Sequence, residues 1–117
     1  MQIQVNTDRH VEGGEALKEK VSDIVARAID RFSDRITRLE IHLADVNSGV
    51  RSGPDDMRCT VEARLAGMRP ISTTHHAATI EQAVAGAVDK LETMLRRTIE
   101  RQQKVKGRTP YGGESPV

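Results

Sequence analysis

Hydrophobic and polar residues alternate along the chain in two distinct periods, and the switches between them mark out six elements. Gln2 to Asn6 places Ile3 and Val5 on one side and polar residues on the other, the period-two signature of a half-buried strand. Gly13-Gly14 interrupts it. From Glu15 to Ser33 the apolar positions Leu17, Val21, Ile24, Val25, Ala28, Ile29 and Phe32 recur at steps of three and four, which predicts a first helix. Strict alternation then returns twice. Leu39, Ile41 and Leu43 share a face against Arg38, Glu40 and His42, and Cys59, Val61, Ala63 and Leu65 share a face against Arg58, Thr60, Glu62 and Arg64. Ile71 to His76 reads as a fourth, more polar strand. From Thr79 to about Arg101 the stripe Ile80, Val84, Ala87, Val88, Leu91, Leu95 and Ile99 predicts a long second helix. Thr79 stands at its N-cap position, with Gln82 three residues on completing a capping-box pattern.

The order is therefore β-α-β-β-β-α. Ser48-Gly49, Ser52-Gly53 and Pro54 make residues 47–56 a turn region, and Ala66 to Pro70 a second hairpin turn. Short links make the last three strands antiparallel, whereas the crossover through the first helix lets the first strand lie parallel to a neighbour. One apolar face per strand and one apolar stripe per helix are satisfied together when both helices cover the same side of one sheet. The expected fold class is α+β, a two-layer arrangement of a four-stranded mixed sheet with two helices on one face. Its length of 117 residues fits a single domain, read here as residues 1–103, with 104–117 as a flexible basic, Gly- and Pro-containing tail.

Net charge changes the picture only through its distribution. The total is +1, yet residues 90–108 hold seven cations against two anions. Lys90, Arg96, Arg97, Arg101, Lys104, Lys106 and Arg108 thus mark one end of the second helix as a candidate surface for an anionic partner. On the first helix Lys18, Lys20, Arg27 and Arg31 alternate with Glu19, Asp23 and Asp30, a pattern that predicts mostly intrahelical pairs. Phe32 and Tyr111 are the only aromatics, so base stacking on an aromatic platform is not available to this chain.

Candidate chemistry is sparse. His75 and His76 are neighbours on a strand and project to opposite faces, and with His10 and His42 elsewhere no zinc-ligand spacing arises. Cys59, the only cysteine, lies on an apolar face and reads as a buried small hydrophobe rather than a nucleophile. Neither glycine pair stands in a phosphate-binding motif, and no pair of carboxylates stands out for acid–base work. No enzyme activity, metal, cofactor or small-molecule substrate is expected. The absence of a long apolar run or a signal-like N-terminus leads us to expect no membrane association and a cytoplasmic protein.

Several segments resemble the ribosome hibernation promoting factor and ribosome-associated inhibitor A family. They are Gln2-Ile3-Gln4-Val5, His10-Val11-Glu12 with Ala16-Leu17, the strand Leu39 to Leu43, and Thr79-Ile80-Glu81-Gln82-Ala83-Val84 continuing into Val88-Asp89-Lys90-Leu91 and Leu95-Arg96-Arg97. Together they span roughly residues 1–104 in family order; Ile80-Glu81 departs from the family's Met-Tyr, and the segment Asp56 to Leu65 resembles a divergent branch of its short forms. The resemblance implies a non-enzymatic stress and stationary-phase protein. It implies binding to the small ribosomal subunit near its decoding site, through basic residues on the helices, and silencing of translation. It carries the ribosomal RNA contacts to Lys90, Arg96, Arg97, Arg101 and Lys104, with Arg27 and Arg31 as additions on the first helix. Shape and phosphate recognition of folded RNA need cations and not aromatics, so the two readings agree. A monomer or weak dimer is expected. The alternative is a protein-interaction module on the same fold, acting through its polar sheet face or tail.

Overall fold

A computed structural model describes residues 1–9, 11–46 and 56–107, with side chains as far as Gln103. The elements are β1 (Gln2–Thr7), α1 (Gly14–Ala28), a 3₁₀ turn (Asp30–Phe32), β2 (Ile36–Asp45), β3 (Met57–Leu65), β4 (Ile71–Ala77) and α2 (Ile80–Gly107). The strands lie side by side in the order β1-β2-β3-β4, with β1 parallel to β2 and the other two pairings antiparallel. Both helices pack on one side of this four-stranded mixed sheet, α2 over β3 and β4, and α1 against β1 and α2. The two-layer β-α-β-β-β-α architecture expected from the sequence is the one observed.

Packing follows the alternation. Leu39, Ile41 and Leu43 of β2 and Cys59, Val61 and Ala63 of β3 are buried beneath Val84, Ala87, Leu91 and Leu95 of α2. From α1 only Val21 and Val25 are fully enclosed. Ile24 and Ala28, expected on the apolar side, are exposed instead, Ile24 by 37%. The two line an open groove with Lys20, Asp23 and Arg27, on the side where Lys20 reaches Glu81, so α2 meets α1 through that ion pair without covering them. Helix α1 also ends earlier than its periodicity predicts. Ile29 adopts φ −115°, ψ 19°, and the chain tightens into the 3₁₀ turn Asp30–Phe32. That turn keeps both Ile29 and Phe32 in the core.

Thr79 caps α2 as expected, its Oγ accepting from the Gln82 amide at 3.1 Å. The helix runs to Gly107, six residues past the end set by its apolar stripe, so positions 104–107 are helical where a tail was expected. Its last apolar anchor is Ile99. On β4 the inward residues include Thr73, buried and donating to the Ala87 carbonyl at 2.8 Å, and His75. The His75 ring lies where a side chain at Gly86 would stand, with its Cδ2 only 2.0 Å from an added Cβ. A glycine in mid-helix is therefore the condition for seating that imidazole. The Val46 amide bonds the Asp56 carbonyl at 2.8 Å, closing the base of the β2–β3 connection, whose residues 47–55 lie outside the described residues, as does His10.

Candidate nucleic-acid interface

The two helices are joined by ion pairs that the sequence reading assigned differently. Lys20 of α1 contacts Glu81 of α2 at 3.2 Å, and Arg31, just past α1, contacts Glu92 at 3.1 Å. Both partners of each pair are 61 positions apart, as two helices running parallel require. Most charges of the first helix were expected to pair internally, but the one such pair among the described residues is Glu15 with Lys18, at 3.9 Å. Glu81 has a structural role here. A backbone amide of its own first turn, and then Lys20, hold its carboxyl below the usual carboxylate range.

The outer sheet face neutralises itself in a similar way. Register sets Arg38 opposite Arg64 and Glu40 opposite Glu62, so like charges meet across strands. Pairing runs along the strands instead: Arg38 reaches Glu40 at 2.8 Å and Arg64 reaches Glu62 at 3.4 Å. The hydrogen bond from Arg38 is the main cause that lowers the pKa of Glu40.

Against this background the second half of α2 differs. Arg96, Arg97 and Arg101 are exposed, and none has a hydrogen-bond or ion-pair partner among the described residues. Lys90 is exposed too, and its ammonium donates to the Thr74 carbonyl of β4 at 2.9 Å. Lys90, Met94, Arg97 and Arg101 follow at steps of four, three and four, so they share one face of the helix on the side of β4. Arg96 lies off that stripe, toward α1. Met94, 41% exposed, places a thioether between the cations.

The remaining predicted positions are distributed unevenly. Arg27 is exposed on α1 without a carboxylate partner among the described residues. Arg31 is engaged by Glu92 and lies 4.8 Å over the Phe32 ring. Lys104 and Lys106 occupy the end of α2 with side chains outside the described residues, and Arg108 lies wholly outside them. One cation that the sequence reading passed over is Arg35, which donates to Gln102 at 3.3 Å and brings the start of β2 to the foot of α2. Its signal was weak, a lone Arg between elements.

No cluster of three or more metal-binding side chains occurs among the described residues, and none of their helices is long and apolar enough to cross a membrane. Burial pushes the Cys59 thiol up to about 12, which leaves it protonated and unreactive.

A family described as sigma 54 modulation protein / S30EA ribosomal protein matches residues 4–103. The chain belongs to this family. Among solved structures, the fold is similar to a ribosomal subunit interface protein from Coxiella burnetii. That match has a TM-score of 0.67 and 21% identity, and covers 86% of this chain and 99% of the other. It is similar also to the N-terminal domain of Protein Y from Thermus thermophilus, with a TM-score of 0.65 and 25% identity over 84% of this chain and 99% of that one. No curated protein gives a significant sequence match. The S30EA-type fold thus accounts for almost the whole described chain, and the arginine group of α2 lies within the matched region.

Proposed function

We propose that this protein is a ribosome-associated hibernation factor. In this reading it is a non-enzymatic module that binds small-subunit ribosomal RNA near the decoding site and silences translation by occupying that channel. Arg96, Arg97 and Arg101 supply the principal phosphate contacts, with Lys90, Lys104, Lys106 and Arg108 extending them along α2 and Arg27 and Arg31 flanking them on α1. The observation that carries this is the contrast in pairing. Among the described cations, Lys18, Lys20, Arg31, Arg38 and Arg64 have a carboxylate within 4 Å; of those without a partner, Arg9, Arg27, Arg58 and Arg69 stand apart in the sequence, whereas Arg96, Arg97 and Arg101 fall within six residues of one helix. Clustered unpaired cations on a rigid helix are what phosphate neutralisation requires. Family membership and the names of the two structural neighbours point to the ribosome as the source of those phosphates. Such a protein works in the cytoplasm, without cofactor or metal.

The test is cosedimentation of the purified chain with small ribosomal subunits at low and raised salt. Salt-sensitive comigration that is lost in a folded R96E/R97E/R101E variant supports the assignment. Comigration unchanged by the triple reversal removes α2 from it. The second reading, a protein-interaction module, is favoured by the outer sheet face, whose charges are already internally paired. It is supported if the chain stays free of ribosomal subunits at every salt concentration.

A further inference from the structure

The sheet has two free edges, and they are guarded unequally. Edge strands invite pairing with another chain, and folded proteins blunt them with Lys, Pro, bulges or a covering element. At β4, α2 lies along the strand and Lys90 occupies the Thr74 carbonyl. At β1 there is no Lys, Pro or bulge, and α1, which packs against the strand, leaves an open cleft beside it. Its six residues, Gln-Ile-Gln-Val-Asn-Thr, carry no charge and no Pro, and they pair with β2 in unbroken register from Gln2↔Arg38 to Thr7↔Leu43. No described residue pairs with its outer side. Ile3 and Val5 are only half-buried, and they line an open cleft of about 340 Å³ whose other wall is Lys18, Glu19, Ser22 and Asp23 of α1. On the opposite face Arg38 donates to the side-chain carbonyls of both Gln2 and Gln4, so the strand's polar side is already ordered.

We infer that β1 is a strand-addition edge and that its occupant is β1 of a second copy of this chain, paired antiparallel about a two-fold axis normal to the sheet. That axis keeps the helices of both copies on one side, so facing residues must belong to the same sheet face. With Gln4 opposite the partner's Gln4, Ile3 meets the partner's Val5, and the same contact repeats across the axis. Gln2 then meets the partner's Asn6. Apolar side chains close the cleft beneath the helices while amides face amides outside, with no like charges opposed on the strands. An acidic or basic peptide finds no complementary charge on β1, which is why a copy of the same neutral strand is the better fit. An interface of one strand pair is small, so the dimer is weak, with a dissociation constant of about 10 µM to 1 mM. It leaves both α2 stripes free on the outer flanks.

Sedimentation velocity of the full chain tests this across about 10 µM to 1 mM, the range set by that interface size. The sedimentation coefficient is expected to rise with concentration for the wild type. Gln4→Lys places like charges at the axis, as does Gln4→Glu, so each alone is expected to remain monomeric. An equimolar mixture of the two is expected to recover a heterodimer, a result that a misfolded variant cannot give. A wild type that stays monomeric throughout overturns the inference. So does a Gln4→Lys variant that dimerises like the wild type, or a monomeric wild type that instead binds a neutral strand peptide of another sequence.

Discussion

Neutralising Arg96, Arg97 and Arg101 together as R96Q/R97Q/R101Q gives the sharpest quantitative check on the α2 surface. Each phosphate contact contributes about 0.7–0.9 to the slope of log affinity against log salt, because binding releases counterions. Three lost contacts therefore flatten that slope by about 2–2.7. At about 0.1 M salt, one decade below a 1 M reference, the same three contacts amount to about 100–500-fold in affinity. In free energy this is about 3–4 kcal/mol. All three side chains are exposed and without partners among the described residues, so each replacement is expected to change folding stability by no more than about 0.5 kcal/mol. The assay is a salt titration of binding to purified small subunits, wild type beside variant, with thermal unfolding of both as the control on folding. A variant that folds normally and binds within threefold of wild type, with an unchanged slope, refutes the phosphate-contact reasoning. Equal weakening at all salt concentrations refutes it as well, since counterion release must change the slope.

Removing the acid partner of Arg31 should act in the opposite direction. Glu92→Gln frees a guanidinium now held at 3.1 Å, and is expected to tighten subunit binding and steepen the salt slope by about 0.7–0.9 more than Glu100→Gln, which removes the same charge from α2 without releasing a cation. Gly86→Ala is expected to destabilise the fold by at least about 1 kcal/mol in chemical unfolding, although Ala is the better helix former. In a His75→Ala background, where the ring 2.0 Å from the new Cβ is gone, the same change is expected to stabilise. Cys59, with its thiol pushed up to about 12, is expected to resist thiol reagents at pH 8 in the native state and to react once the chain is unfolded in denaturant. Glu40 and Glu81 have lowered pKa values, so the stability they lend is fully present above the ordinary glutamate range and lost as pH falls through their native values. An acid unfolding titration should therefore show a shallower loss of stability below about pH 4.5 in Arg38→Gln than in wild type.

Periodicity carried the architecture because each element obeys one local rule. Leu39, Ile41 and Leu43 are buried where alternation places them, and Val84, Ala87, Leu91 and Leu95 where a 3.6-residue period places them. Local rules stopped at the points where a neighbour decides. Ile24 fits the apolar stripe of α1 as well as Val21 does, yet only Val21 is covered, because Ile24 lies along an open groove with Lys20, Arg27 and Ala28, and no local pattern records how far a neighbouring helix reaches. Gly86 looks like a flaw in a helix until His75 of another element is placed against it. The continuation of α2 past Ile99 has the same character. Its single apolar residue, Val105, does not follow Ile99 at a step of three or four, and helix-favouring Arg, Gln and Lys residues sustain it.

The candidate site followed the same division. Counting charges located the basic end of α2 but could not distinguish a free cation from a paired one. Lys20 and Arg31 are 11 residues apart, as are Glu81 and Glu92, a spacing of about three helical turns that lets two parallel helices pair twice. That coincidence was present in the sequence and became informative only once the helices were known to run side by side. With those pairs formed, the cations without a carboxylate partner among the described residues are Arg9, Arg27, Arg35, Arg58, Arg69, Lys90, Arg96, Arg97 and Arg101, and α2 is where they gather. For this chain, whose net charge is only +1, the pairing pattern and not the total charge supports the polyanion surface proposed on α2. The acids Glu81 and Glu92 fasten α1 to α2 and occupy Lys20 and Arg31, while Arg96, Arg97 and Arg101 form the densest group of unpaired cations among the described residues.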